Sequence, residues 1–364
     1  AKLNNQKIIN DVKNDVLDEK ELNQCVERVL DVLYRIVDCK KEGNYDLEAH
    51  HQIARKIGEE CVVLLKNDNH LLPLKKEQKV GFIGPYATKP RYQGGGSSHI
   101  NSFKVTNALE SARKISPNIS YAIGCDGEKD NLDENQLKDA IELAKVVDVA
   151  VLFVGLPDLF ESEAYDRKHI SIPFCQKKLI TEVSKVQSNT VVVLHNGSPI
   201  EMSWINDVSS VIENYLCGQA VGEITANVLY GIVNPSGHLS ETFPLKYEDN
   251  PSILDYGAHH DHVNYMEGVF VGYRYYDRKN MDVLFPFGHG LSYTTFSYSN
   301  LRFDKESFKD IESVQCHVDV TNIGPVFGKC VVQLYVSDNT NYENRPLKEL
   351  KGFKKLSLQP GEMK

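Results

Sequence analysis

Residues 51–250 alternate between short apolar runs and amphipathic helical patterns, and this alternation restricts the choice of fold more than any other feature. The clearest apolar run is Val149–Val154, which is followed by Gly155. Short buried strands that alternate with helices form βαβ units and a mostly parallel sheet. We therefore predict an α/β fold, with a sandwich of helices around one sheet. The predicted helices are 51–64, 105–114, 134–146, 174–187 and 218–230, and the predicted strands are 80–83, 119–122, 149–154, 190–194 and 210–213.

Two further helical patterns lie ahead of this region, in residues 8–37. Asp18 is a favourable N-cap for the second helix, and Glu21 follows three residues later, which is the spacing of a capping box. Apolar residues then recur at helical spacing through the rest of the segment. Residues 40–50 are polar, so we predict a linker there.

The last part of the chain, residues 296–364, has the pattern of β-structure. Val314–Val320 and Lys329–Val336 alternate between apolar and polar residues. Short alternating strands separated by turns are typical of an antiparallel sandwich. Residues 251–295 are rich in Tyr, Gly and His, and we predict a connecting segment in which Gly268–Asp277 is extended.

Charge and composition exclude several classes of function. The 364 residues carry a net charge of −9, whereas a nucleic-acid groove needs clustered Lys and Arg. No apolar run reaches the 18 residues or so of a transmembrane helix. The eight cysteines are scattered without C-x-x-C spacing, so we expect buried free thiols in a reducing cytoplasm. The first residue is Ala, and we expect the chain to be a piece of a longer protein.

A loop with three carboxylates follows the run Val149–Val154. It contains Glu161, Glu163 and Asp166, and then Arg167 beside a lysine. Ligands of open α/β sheets bind beyond the carboxyl ends of the strands. General acid–base catalysis needs a carboxyl group whose pKa is tuned by charged neighbours. By composition alone, a solvated acidic surface loop explains the same cluster.

Other motifs with known chemistry are missing or incomplete. Gly81–Gly84 lacks the spacing of a dinucleotide fingerprint and Gly94–Ser98 lacks the ending of a P-loop, so a plain flexible loop is the alternative for both. No G-x-S-x-G sequence marks a serine hydrolase. His259–His262 resembles a metal cluster, but adjacent residues of an extended chain point in opposite directions. We therefore predict no metal and no cofactor.

Five stretches follow one another in a characteristic order between residues 62 and 293. They are Val62–Asn67 with Leu71–Leu74, Gln93–Ser98, Glu161–Arg167 with Ile170–Pro173, Asn234–Leu239 with Thr242–Pro244, and Phe285–Tyr293. This ordered set resembles glycoside hydrolase family 3. One departure is Ala164, where that family usually has Gly, and its methyl group restricts the backbone angles beside the predicted acid.

The resemblance implies four segments. Residues 1–50 are similar to the last helices of a (β/α)₈ barrel, with a linker, and the rest of that barrel is absent from this sequence. Residues 51–250 resemble the α/β sandwich domain, 251–295 connect, and 296–364 resemble an incomplete fibronectin type III-like domain. The nucleophile of the family is an Asp on the barrel, so no residue of this chain is expected to have that role.

The resemblance also implies roles for individual residues. Glu163 is the expected general acid/base, with Glu161 as the runner-up, and Asp166 and Arg167 are expected to pair and hold the loop. Tyr165 is expected to pack under the loop or to touch the sugar. The other expected substrate-binding residues are Gln93, Gly95, Gly96 and Ser97.

The activity that the resemblance implies is hydrolysis of terminal non-reducing β-D-glucosyl residues by a retaining double displacement. The alternative sugars are β-xylose and arabinose. The expected partners are a β-linked oligosaccharide or glycoside and the barrel domain of the same protein, without nucleic acid or membrane; self-association stays open. Two rival functions are a non-catalytic carbohydrate-binding scaffold and a flavodoxin-like cofactor domain.

Overall fold

A computed structural model describes residues 2–41, 43–164, 166–257, 261–309, 311–340 and 344–364. The chain divides into two compact units, Ala1–Leu47 and Glu48–Lys364. The first unit contains helices α1 (Lys2–Lys13) and α2 (Glu19–Asp38). Asp18 caps α2 as predicted, because its side chain accepts a hydrogen bond from the backbone N–H of Lys20 at 2.9 Å. The apolar face of α2 is open: Val26, Leu30 and Leu33 are 46%, 42% and 50% exposed.

The second unit is organised around a six-stranded sheet with the order β1-β6-β5-β4-β2-β3. All neighbouring strands are parallel except the edge strand β1, which runs antiparallel to β6. All seven residues of the central strand β4 are buried, as a parallel sheet covered on both faces requires. The strands are β1 (Val63–Asn67), β2 (Val80–Ile83), β3 (Ile119–Ala122), β4 (Val149–Gly155), β5 (Thr190–His195) and β6 (Ser210–Glu213).

Helices cover both faces of this sheet and form two hydrophobic cores. Apolar residues of α5 (Glu134–Val146) and α6 (Phe174–Val186) lie in one core, with Leu179 and Ile180 fully buried. Those of α4 (Ala108–Arg113) and α7 (Val221–Leu229) lie in the other. The predicted α/β sandwich with a mostly parallel sheet is therefore confirmed.

Two predicted elements were wrong in part. Helix α3 spans Leu47–Cys61, so the predicted helix 51–64 runs too far, and the apolar run after it forms the edge strand β1. Periodicity alone does not separate a short apolar strand from the end of a helix. The predicted extended segment 268–277 turns into helix α8 (Tyr273–Lys279), which ends at Asn280 with a left-handed φ of 48°.

The C-terminal strands form two antiparallel pairs, as predicted. β7 (Phe296–Phe303) pairs with β8 (Cys316–Asn322), and β9 (Gly328–Val336) pairs with β10 (Glu349–Leu358). A small third core forms between the pairs around Val320, Cys330 and Leu358. Within the described part of the chain, no helix has the length and apolar character needed to cross a membrane.

Candidate active site

The carboxylate-rich loop leaves the carboxyl end of β4 and meets the turn that follows β5. The two strand ends are close at Gly155, where a Cβ atom would overlap the carbonyl group of His195. Only Gly allows this backbone approach. As a result, Glu161 lies beside Gly197 and Ser198, and Arg167 beside Ser198, at the edge where parallel sheets bind ligands.

Glu161 is held from three directions. Nη1 of Arg91 donates to its carboxylate at 2.6 Å, the backbone N–H of Gly197 donates at 2.8 Å, and the Ser198 hydroxyl makes a short hydrogen bond. Arg91 also donates to the backbone carbonyl of Glu161 and pairs with Asp158. The side chains of Glu161 and Arg91 are only 17% and 6% exposed. This carboxylate therefore fastens the loop to the sheet.

Glu163 has the opposite surroundings. Its side chain is exposed, and its carboxylate accepts one hydrogen bond from the backbone N–H of Ser97 at 2.7 Å. The Ser97 side chain, and then its backbone N–H, lower the pKa of Glu163 below its usual value. Gly96 lies directly against it, with φ of 85°, and a Cβ atom at Gly96 would lie 2.6 Å from the Glu163 Cβ. Glu163 is thus positioned by backbone and left open to solvent.

Asp166 and Arg167 have separate partners. The hydroxyl of Tyr256 donates to Asp166 at 2.6 Å, while Nη1 of Arg167 donates to the Ser198 hydroxyl at 2.7 Å and to the Pro199 carbonyl at 3.1 Å. We expected Asp166 and Arg167 to pair with each other, but within the described residues no ion pair joins them. Burial lowers the pKa of Arg167. Both side chains tie the second half of the loop to its neighbours.

Two further carboxyl groups lie under the loop. Glu213, at the end of β6, is fully buried and accepts hydrogen bonds from the backbone N–H of Tyr215 at 2.7 Å and from Nδ2 of Asn196 at 2.8 Å. Burial raises the pKa of Glu213 well above its usual value. Burial, together with the Glu161 charge, raises the pKa of Glu241 to about 7. The loop is therefore built over a layer of carboxyl groups that favour the protonated form.

Comparison with known proteins gives the family. A model of the glycosyl hydrolase family 3 C-terminal domain matches residues 62–293, which is more than half of the chain. The chain belongs to glycosyl hydrolase family 3. A fibronectin type III-like domain model matches residues 330–364.

Relatives in family 3 align with nearly the whole chain. Thermostable beta-glucosidase B of Acetivibrio thermocellus is 50% identical over 366 residues, which cover 100% of this chain and 48% of the relative. The exo-alpha-(1->6)-L-arabinopyranosidase of Bifidobacterium longum is 36% identical, covering 98% of this chain and 48% of the relative. The crystal structure of a Bifidobacterium adolescentis family 3 beta-glucosidase superimposes with a TM-score of 0.89 at 36% identity, over 99% of this chain and 53% of that one. The chain spans about half the length of the curated relatives it matches.

Of the four residues of the glycine-rich loop that were predicted to bind substrate, three contact the acidic loop. Gly95 lies against Ser162, and Gly96 and Ser97 lie against Glu163. Gln93 instead bonds within its own segment, where its side chain accepts from the backbone N–H of Ile100 at 3.2 Å. Tyr165 lies outside the described residues, so its predicted role stays a prediction.

Sequence reasoning missed Arg91, Glu213 and Glu241. Arg91 is 70 residues from the carboxylate it binds, and no local pattern connects the two. Glu213 carried a weak signal, because it is a charged residue at the end of an apolar predicted strand. Glu241 directly precedes the matched Thr242–Pro244 stretch. Within the described part of the chain, no three His, Cys, Asp or Glu side chains could hold a metal ion, and His259 and His260 lie outside that part.

Proposed function

We propose that this chain supplies the general acid/base of a retaining β-glucosidase, and that Glu163 is that residue. The observation that carries the assignment is the contrast between the two glutamates of the loop. Glu161 is fixed by Arg91, Gly197 and Ser198, whereas Glu163 is exposed and, among the described residues, has one donor residue, Ser97. A group that exchanges protons with a substrate must be within its reach and must not be committed to the fold.

In the proposed mechanism, Glu163 acts once in each step of a double displacement. It first donates a proton to the departing glycosidic oxygen while a carboxylate nucleophile attacks the anomeric carbon. It then removes a proton from the water that hydrolyses the covalent intermediate. We propose that the nucleophile is an Asp of a barrel domain outside these 364 residues, about 5–5.5 Å from Glu163 in the complete site.

The Ser97 contacts bear on both steps. They favour the ionised form of Glu163, which is the form needed as a base. The acid step needs the proton to be retained. In the complete enzyme, a nearby nucleophile carboxylate and the exclusion of water would both raise the pKa of Glu163. We therefore expect this chain alone to be inactive and its Glu163 to be a stronger acid than in the complete enzyme.

The proposed substrate is a β-linked glucoside or oligosaccharide. It rests on relatives named beta-glucosidase, including the most extensive match above at 50% identity. Another relative with nearly full coverage of the chain is named as an arabinopyranosidase. Arabinosides, after that relative, and β-xylosides, which the sequence resemblance implies, are the alternative substrates.

Replacement of the acid tests the proposal in the full-length protein. Glu163→Gln should lower the turnover of alkyl glucosides by about 10²–10⁴-fold, because the amide donates no proton to a poor leaving group. Activated dinitrophenyl glucoside should still form the covalent intermediate, and azide, which needs no base, should restore turnover and yield β-glucosyl azide. Glu134→Gln, on the exposed surface of α5, is the matched control and should behave as wild type. Full alkyl-glucoside turnover in Glu163→Gln would refute the assignment.

A further inference from the structure

A cavity of about 780 Å³ lies beside the acidic loop, and we call it the loop cavity. Its walls are Glu161, Ser162, Asp166 and Arg167 of the loop, the Ser198–Pro199 turn, parts of residues 240–256 and parts of residues 267–287. Glu163 is not among the described residues that line it, so the cavity is not explained by the acid/base role. Its volume is within the range of cavities that hold small organic ligands.

Two buried polar atoms in the wall of the loop cavity have no hydrogen-bond partner within the described residues. They are Oγ1 of Thr242, a side chain that is only 7% exposed, and Nη2 of Arg167. An unsatisfied buried donor or acceptor costs free energy, and native proteins leave few of them. A hydroxyl group in the cavity can both accept from Arg167 and donate to or accept from Thr242. These atoms therefore indicate a ligand that carries at least one hydroxyl group.

Aromatic side chains line the same cavity. Tyr247, Tyr256, Tyr273 and Phe287 contribute to its wall, and Tyr273 stacks on Phe287 with ring centroids 4.9 Å apart. Aromatic rings with a few polar groups are typical of ligand cavities. A ring face offers an apolar, electron-rich surface to the C–H groups of a sugar ring, while the hydroxyl of a Tyr can still form hydrogen bonds.

The charge of the loop cavity excludes anions. Glu161 is neutralised by Arg91, and the lining carboxylates Asp166 and Glu267 outnumber the cation of Arg167 even without Glu241. Phosphorylated ligands would meet a net repulsion there. Neutral hydroxyl groups would find both acceptors and donors, because the raised pKa of Glu241 lets its carboxyl group take either role near neutral pH.

We propose that the loop cavity is a binding site for a neutral mono- or disaccharide, separate in its residues from Glu163. A sugar there would contact Glu161, Asp166 and Arg167, and so would bind the loop that carries the proposed acid/base. The site does not depend on hydrolysis, and its existence does not depend on the identity of the acid.

Calorimetric titration of the 364-residue chain with D-glucose and with cellobiose tests this site. Saturable binding with a dissociation constant on the order of 1 mM is expected. Glucose 6-phosphate should bind at least fivefold more weakly, because of the carboxylates. Absence of saturable binding by both neutral sugars, or equal binding of the phosphate, would overturn the proposal.

Variants locate the bound sugar. Thr242→Val and Tyr247→Ala should each raise the dissociation constant at least fivefold, whereas Glu163→Gln should leave it unchanged. Thermal unfolding without sugar identifies a variant that has lost its fold, and Tyr247, which is partly exposed, is the safer of the two positions. If Glu163→Gln abolishes binding and the cavity variants do not, the sugar binds at the acid/base side and the loop cavity is not the site.

Discussion

The two halves of the acidic loop differ in how their glutamates are held. In the first half, Glu161 is largely buried and is bound by a guanidinium group, a backbone N–H and a hydroxyl. In the second half, Glu163 is exposed, and within the part of the chain that the structure describes its carboxylate is bound by Ser97. One serine separates them in the chain. The comparison teaches that the number and burial of a carboxylate's partners, rather than its place in a motif, separate a fastening group from a group that is free to transfer protons.

The largest expected effect is on stability at Glu161. Glu161→Gln leaves the buried Arg91 without one of its carboxylates, and breaking such a pair should lower the free energy of unfolding by about 3 kcal/mol. Glu163→Gln is the matched change two residues away and should alter it by less than about 0.5 kcal/mol. Urea unfolding of the 364-residue chain measures both. Equal effects of the two substitutions would break the comparison, because both glutamates would then be structural.

The carboxyl groups under the loop, Glu213 and Glu241, make the free energy of unfolding depend on pH. The pKa of Glu241 is about 7 in the folded chain and 4.5 by its ordinary value, so the folded state holds the proton more tightly. This contribution is fully present below pH 4.5 and is lost as the pH rises through 7. Wild type should therefore lose about 2 kcal/mol relative to Glu241→Gln between pH 4.5 and 8, after discount for solvent screening.

Urea unfolding of both proteins at pH 4.5 and pH 8 measures that difference. Burial lowers the pKa of His195 to about 4, and this acts in the opposite direction, because stability then rises with pH between 4 and 6.5. His195 is present in both proteins and cancels in the comparison. A difference between wild type and Glu241→Gln that is independent of pH would show that folding does not change the pKa of Glu241.

The inner strands of the sheet could be predicted closely because they are fully buried. β2 and β6 have the predicted limits, since apolar runs bounded by polar residues leave little choice. The edge strand β3 also has its predicted limits, although only Ile119 of its four residues is buried. Helix starts were less certain. Helix α4 begins three residues later than predicted, after Asn107. The Asn107 side chain caps the helix by accepting a hydrogen bond from the backbone N–H of Glu110. Side-chain capping of this kind decides a helix start that apolar spacing leaves open.

The site could be predicted only as far as local sequence carries it. The loop was found because two glutamates and an Asp-Arg pair stand together after a strand. The sequence does not show which glutamate is fastened, since the decision is made by Arg91, 70 residues away, and by the turn after β5. Burial of Glu213 and Glu241 is likewise a tertiary property.

Backbone rather than charge fixes the second half of the loop, and Gly96 tests this. Gly96→Ala places a Cβ atom 2.6 Å from that of Glu163 at a φ of 85°, so it should cost about 1–2 kcal/mol and displace Glu163, the proposed acid. Gly352→Ala is the control, because no atom lies within 4 Å of its Cβ position and its φ is not positive. Urea unfolding gives the cost, and alkyl-glucoside turnover of the full-length protein gives the displacement. Unchanged values in both would show that the glycine loop does not position Glu163.

Ala164 is the position where the smallest effect is expected. Its φ of 75° is in the left-handed region, which costs an L-residue about 1–2 kcal/mol. Ala164→Gly removes that strain but gives the unfolded chain more freedom, worth about 0.4–1 kcal/mol, so a net gain near 0.5 kcal/mol is expected. Ala164→Val, with a branched side chain at the same φ, should destabilise by more than about 1 kcal/mol. Thermal unfolding of the three chains gives the order Gly, Ala, Val. The reverse order would mean that residue 164 has a negative φ in solution, and the position of Glu163, which depends on this turn, would have to be revised with it.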